Sequence, residues 1–140
     1  MGAAPSAGDV GEQLLRVTRG LRRGWVEDLR RWDVSPHQVR ALRVVCEEDD
    51  PIRLGVLAER LRIAPRSATE VVDGLEREGY VARRPDPADR RATCVEPTDA
   101  GRDLLRQVHR RRHASLAGYL DVLDETERAQ LAGLLGKLEP

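Results

Sequence analysis

The chain has 140 residues, with 24 basic and 24 acidic side chains, no Phe, and Trp25, Trp32, Tyr80 and Tyr119 as its aromatics. That length suits one domain with an aliphatic core, and a net charge of zero points to no partner by itself. Cys46 and Cys94 form neither a disulfide framework nor a zinc-type spacing, and no apolar run approaches the roughly 18 residues of a membrane span.

Residues 1–10, "MGAAPSAGDV", lack the basic start and apolar centre of a secretory leader and are expected to form a disordered cytoplasmic tail. Residues 12–32 read as a helix, with Leu14, Thr18, Leu21, Trp25, Leu29 and Trp32 spaced at three or four. "SPHQ" at 35–38 starts a second helix: Ser35 is the N-cap, Pro36 takes the first position and Gln38 closes a capping box. Val39, Leu42 and Val45 or Cys46 form its buried stripe, and the acidic "EEDDP" ends it. From 16 to 43 eight arginines face three acids, so the neutral total hides local patches. Lys137 is the only lysine. Arginine suits phosphates and base edges, although GC-rich codon usage produces the same excess.

Residues 52–54 suit a short strand and 55–61 a two-turn helix. "RIA" at 62–64 is a tight turn into a helix over 65–79, with Pro65 at its start, Gly79 at its end, and Ala68, Val71, Val72 and Leu75 inward. Strands at 80–84 and 91–96 flank the loop "PDPADR", 85–90, with Arg83, Arg84, Arg90 and Arg91 at its shoulders. Thr98 caps a helix running to about 122, and Asp124 with Glu127 caps a last helix whose stripe is Leu131, Leu134, Leu135 and Leu138. Two short helices joined by a tight turn and followed by a hairpin make a winged helix-turn-helix.

"LAERLRIAPRSATEVVDGLEREGYVARRPDPADRRATCVEPTDAGRDLL" resembles the MarR family of bacterial transcription regulators, most specifically in "DRR" followed by "PTDAG". The resemblance implies an α+β, mostly α, fold. Residues 35–97 would form the winged helix-turn-helix, and helices in 11–34 and 98–140 would form a dimerisation region. It implies an obligate homodimer on a pseudo-palindromic double-stranded DNA operator, the fourth helix in the major groove and the wing arginine in a flanking minor groove. It also implies control of nearby genes, often relieved by a small lipophilic or phenolic effector.

On the recognition helix, Arg66 suits guanine, and Ser67 or Thr69 suits bases or phosphate. Glu70 stands where many relatives carry a basic residue; it could accept from a cytosine amine, or pair Arg66 or Arg77. Relatives often carry a second basic residue where Gly74 stands, and a capping Ser where Ala64 stands. In the wing, Asp89 holds Arg91 in a fixed pose for a narrow minor groove, or the two merely staple the hairpin. Arg90 lies nearer the tip, while Arg83 and Arg84 read as phosphate contacts. Trp25 and Trp32 belong either to a dimer core or to a pocket for an aromatic ligand, and His37 to a helix terminus or to that ligand.

His109 and His113 lie one helical turn apart, but no Asp, Glu or Cys completes a metal set nearby, so no metal or cofactor is expected. Neither cysteine sits in the first helix, where peroxide-sensing relatives keep their thiol. No Ser-His-Asp set, paired carboxylate or phosphate-cradling Gly loop indicates an enzyme. The expectation is therefore a cytoplasmic, sequence-specific DNA-binding repressor, with no membrane association. A winged helix that binds protein is the alternative.

Overall fold

The computed structural model describes residues 4–140 and is mostly helical with one small antiparallel sheet. Helix α1, Ala7–Leu29, begins inside the stretch expected to be a disordered tail. The reason is local: the Ser6 hydroxyl accepts from the Asp9 amide at 3.2 Å, and the Ser6 amide donates to the Asp9 carboxylate at 3.0 Å. These reciprocal bonds satisfy donors that a helix start otherwise leaves open. Residues 1–3 of that tail lie outside the described residues. The expected 12–32 helix also tightens at its end into a 3-10 turn, Arg30–Trp32, which closes on Asp33 in the left-handed region at φ 53°.

Ser35 and Gln38 cap helix α2, Pro36–Glu47, by both bonds of the capping box, and Val39, Ala41, Leu42 and Val45 are buried on its inner face. Arg60 draws in both Glu47 and Glu48, so the acidic segment ends the helix against a base. Strand β1, Ile52–Arg53, leads into helix α3, Leu54–Leu61. Arg62 then turns left-handed at φ 55°, its amide donating to Glu59 at 3.0 Å, while the Ile63 amide donates to Ala58 at 3.1 Å. Those two bonds close α3 within a single residue and let helix α4, Pro65–Arg77, start at once.

Gly79, at φ 79°, ends α4 and turns the chain into strand β2, Val81–Pro85; strand β3 follows at Thr93–Pro97. The sheet order is β1-β3-β2, with Ile52 and Arg83 both opposite Val95. Leu42, Val45, Leu57, Val72, Leu75, Val81 and Val95 are all 2% exposed or less and form the core between the helices and the sheet. Burying each such side chain contributes roughly 1.5–3 kcal/mol.

Helix α5, Asp99–Tyr119, is tied to the end of α4 by the Thr-x-x-Gly of the sequence. The Thr98 hydroxyl donates to the Gly79 carbonyl at 2.6 Å and accepts from the Gly101 amide at 3.1 Å. The Thr98 amide donates to the Tyr80 carbonyl at 3.1 Å. Helix α6, Glu125–Gly136, starts on the Asp124–Glu127 capping box. Among the described residues its expected apolar stripe is left largely uncovered: Leu134 is 60% and Leu138 69% exposed.

The chain forms two compact units. One holds α1 as far as Trp25 with Arg110–Pro140; the other is Val26–His109 and contains the complete winged helix-turn-helix.

Candidate nucleic-acid interface

Arg66 and Ser67 stand exposed on the first turn of α4. Glu70 takes one of its expected partners, Arg66, at 3.5 Å, with the two side chains 92% and 69% exposed. A helix-surface pair of this kind stabilises by only about 0.3–0.5 kcal/mol, so it leaves Arg66 free to exchange carboxylate for a nucleic-acid acceptor. Thr69 spends its hydroxyl proton on the Pro65 carbonyl at 3.1 Å and keeps only acceptor capacity outward. Ala64 supplies no side-chain cap, which forgoes about 1 kcal/mol and leaves the first-turn amides without a side-chain partner.

Gly74 has a packing reason that the sequence hid. A Cβ there would come within 2.5 Å of Gln38 Nε2. Gln38 cannot freely retreat, because its carbonyl oxygen holds the Ser35 amide at 2.8 Å. The α2 cap and a larger residue at position 74 therefore compete for the same space.

In the hairpin, Arg83 and Arg84 part company. Consecutive strand residues point to opposite faces. Arg83 turns to α4 and bonds both Asp73, at 2.5 Å, and Glu76. Burial lowers its pKa, but hydrogen bonds and charge from the two carboxylates outweigh this, and the net value is raised. Arg84 pairs across the strands with Glu96. Both arginines expected at phosphate are thus held by carboxylates of the chain itself.

The loop between the strands is organised by Asp86, a residue not singled out from the sequence. It is buried at 7% exposure, accepts from the Ala88 amide at 2.8 Å and pairs with Arg53 of β1. Its amide donates to the Ala92 carbonyl at 3.0 Å. Asp-Pro at 86–87 was the one signal available, since a short carboxylate readily folds back on its own turn. Asp89 makes the second turn: its carboxylate accepts from the Arg91 amide at 3.0 Å. Asp89 therefore poses Arg91 through the backbone, not through the guanidinium. No ion pair holds the Arg90 or Arg91 side chain among the described residues, and both stand exposed at the tip.

The Asp86 carboxyl sits below its ordinary value of 3.8, lowered first by the Ala88 amide, opposed by burial, and lowered again by Arg53. Its folded-state pKa is depressed, so its contribution to the hairpin is complete above 3.8 and is lost as pH falls through the lower folded value. The expected result is that the Asp86 carboxyl resonance titrates with a midpoint under 3.8 and that wing amide protection falls with it. A midpoint at or above 3.8 would contradict this arrangement.

The remaining candidates have partners of their own or stand exposed. Trp25, in the first unit, has the Arg112 guanidinium 5.1 Å from its ring centroid, a cation–π distance. Trp32, in the second, donates through Nε1 to Gln107 at 3.3 Å. His37 is exposed on the first turn of α2. His109 and His113 are exposed, and among the described residues no three His, Cys, Asp or Glu side chains gather as a metal site. Burial pushes both thiols up, Cys46 against the opposing charge of Arg102 and Arg106, so neither is activated as a thiolate.

Comparison with known proteins agrees with this architecture. The MarR family model matches residues 32–92. The uncharacterized HTH-type transcriptional regulator Mb0904 of Mycobacterium bovis is 33% identical over 122 residues, spanning 87% of this chain and 82% of that protein. The HTH-type transcriptional repressor MdtR of Bacillus subtilis is 28% identical over 130 residues, spanning 93% of this chain and 83% of the relative. The crystal structure of YusO from Bacillus subtilis superposes with a TM-score of 0.85 at 28% identity, covering 96% of this chain and 97% of YusO. A winged helix-turn-helix read first from caps, turns and strand spacing, then matched along most of its length, places this chain in the MarR family of helix-turn-helix transcriptional regulators.

Proposed function

We propose that the chain acts as a homodimeric, sequence-specific DNA-binding repressor in the cytoplasm. One observation carries this reading. The open first turn of α4 and the unpaired Arg90 and Arg91 of the wing belong to the same compact unit, and Arg83 ties their two elements together. A helix of this kind enters the major groove while an arginine-tipped wing reaches the neighbouring minor groove. Arg66, Ser67, Thr69 and Glu70 then face base edges or phosphate, and Asp89 poses Arg91. MdtR, a named repressor, supports the sign of regulation.

Dimerisation is supported by apolar residues left exposed in the single chain, among them Leu15 at 54%, Leu134 at 60% and Leu138 at 69% exposure. A two-fold pair would read half-sites about one helical turn apart, on the order of 10 bp. No helix among the described residues is long and apolar enough to cross a membrane. An effector, if aromatic, acts at Trp25, Trp32 or His37; the two tryptophans make its binding visible in indole fluorescence.

The test is fluorescence anisotropy on the DNA upstream of the protein's own gene, with an unrelated duplex beside it, over a salt series. Affinity for the upstream DNA should exceed that for the unrelated duplex and fall with salt at a log–log slope of about −0.9 per phosphate engaged. Equal, weak, salt-insensitive binding to both duplexes would sink the reading and favour a protein-binding winged helix.

A further inference from the structure

The sequence marks Arg83 as one of four arginines around the wing loop, yet its environment differs from that of the other three. Its side chain is 24% exposed, the least among the ion-paired arginines of the unit that holds the winged helix-turn-helix. Asp73 and Glu76, its two partners, are three residues apart on α4 and so adjacent on one face of that helix. One guanidinium nitrogen serves each carboxylate. The planar fork of arginine can hold two acceptors at once in a fixed direction, and such charge-assisted bonds are stronger than neutral ones.

We infer that Arg83 is a positioning residue, a clamp that sets the wing against the recognition helix and so governs selection among DNA sequences. The inference rests on the DNA-binding reading above. Major and minor grooves lie at fixed places on a duplex, so α4 and the wing tip can both engage only when the angle between them is right. Arg83 leaves strand β2 toward α4 and ends on two carboxylates whose places are set by that helix. To reach a phosphate it would have to abandon both. Seated as it is, it also offsets one of the two negative charges that these carboxylates place on the helix that must approach a polyanion. Arg84, one residue on and pointing to the other face, pairs with Glu96 and stays within the hairpin; it has no part in the clamp.

Three variants separate a clamp from a phosphate contact: Arg83→Met, Arg83→Lys, and the double variant Asp73→Asn/Glu76→Gln. The quantity to read is the ratio of affinities for upstream DNA and for an unrelated duplex. A clamp predicts that this ratio falls about tenfold in all three, because lysine is a point charge that cannot fork to both acceptors and the amides lose the charge that holds the guanidinium. A phosphate contact predicts an unchanged ratio throughout. Affinity for both duplexes would then fall together in Arg83→Met, hold in Arg83→Lys, and rise together in the double variant. That pattern would overturn the inference.

Amide hydrogen exchange on the DNA-free protein supplies the second readout. The clamp predicts faster exchange at the wing amides of Asp86 and Ala92 in each variant while the α4 amides hold. Unchanged wing exchange would overturn the inference. If the parent protein binds no duplex selectively, the DNA-binding reading fails on its own evidence, and exchange still decides whether Arg83 orders the wing.

Discussion

The Arg90→Ala/Arg91→Ala variant is expected to fold as the parent does and to bind its operator about 100-fold or more weakly. Both side chains are exposed and, among the described residues, neither is held by an ion pair, so removing them costs the fold little, within roughly 0.5 kcal/mol for unengaged surface positions. Contacts to base edges or an inserted groove are worth about 1–3 kcal/mol each, and a symmetric dimer loses them twice. Thermal denaturation and anisotropy on the same preparation check both halves. An unchanged Tm with unchanged operator affinity would remove the wing tip from the interface. Asp89→Ala should give a smaller loss of affinity, since it frees the Arg91 backbone without deleting the guanidinium.

Gly101→Ala is expected to destabilise the protein by about 3 kcal/mol and to lower Tm by about 10 °C, large for one methyl group. A Cβ at position 101 would run into the Tyr80 carbonyl oxygen and lie 3.2 Å from Leu42 Cδ1. That carbonyl cannot step aside cheaply, because it accepts from the Thr98 amide at the joint between α4, β2 and α5. Gly118, also on α5, is the control: a Cβ there meets nothing within 4 Å, so Gly118→Ala should be neutral or stabilising by up to about 1 kcal/mol. Calorimetry on the two variants separates the packing effect from helix propensity. Equal Tm values would contradict the close approach at Gly101.

Local signals carried the reading of the fold. Ser35 with Gln38 and Asp124 with Glu127 are complete in residues three apart, and both capping boxes form. Gly79 supplies the positive φ that ends α4, and Arg62 turns left-handed in the three-residue link between α3 and α4. Sequence and structure part where a few local bonds shift a boundary. Ser6 and Asp9 form a cap that a reading focused on apolar spacing missed, so α1 begins inside the supposed tail.

The candidate site divides along the same line. The exposure of Arg66, Ser67, Arg90 and Arg91 was legible, because exposure and charge at a helix start or loop tip follow from local sequence. Arg83 and Arg84 were not, because a sequence does not say which carboxylates lie opposite a given strand face. Asp86 looks like any turn aspartate until β1 brings Arg53 against it. Gly74 and Gly101 were legible only as breaks in a pattern, since what they make room for, Gln38 and Tyr80, sits on other elements.

The sequence by itself determined the order and kind of the elements and the winged helix-turn-helix, because capping, turn chemistry and apolar period act over a few neighbouring residues, and the family through the resemblance of its motifs. Only the tertiary structure decided which arginines of the wing are held by carboxylates and which stand exposed without an ion pair among the described residues. Charges on the same short segment separate when alternate strand faces meet different partners, and those partners come from elsewhere in the chain.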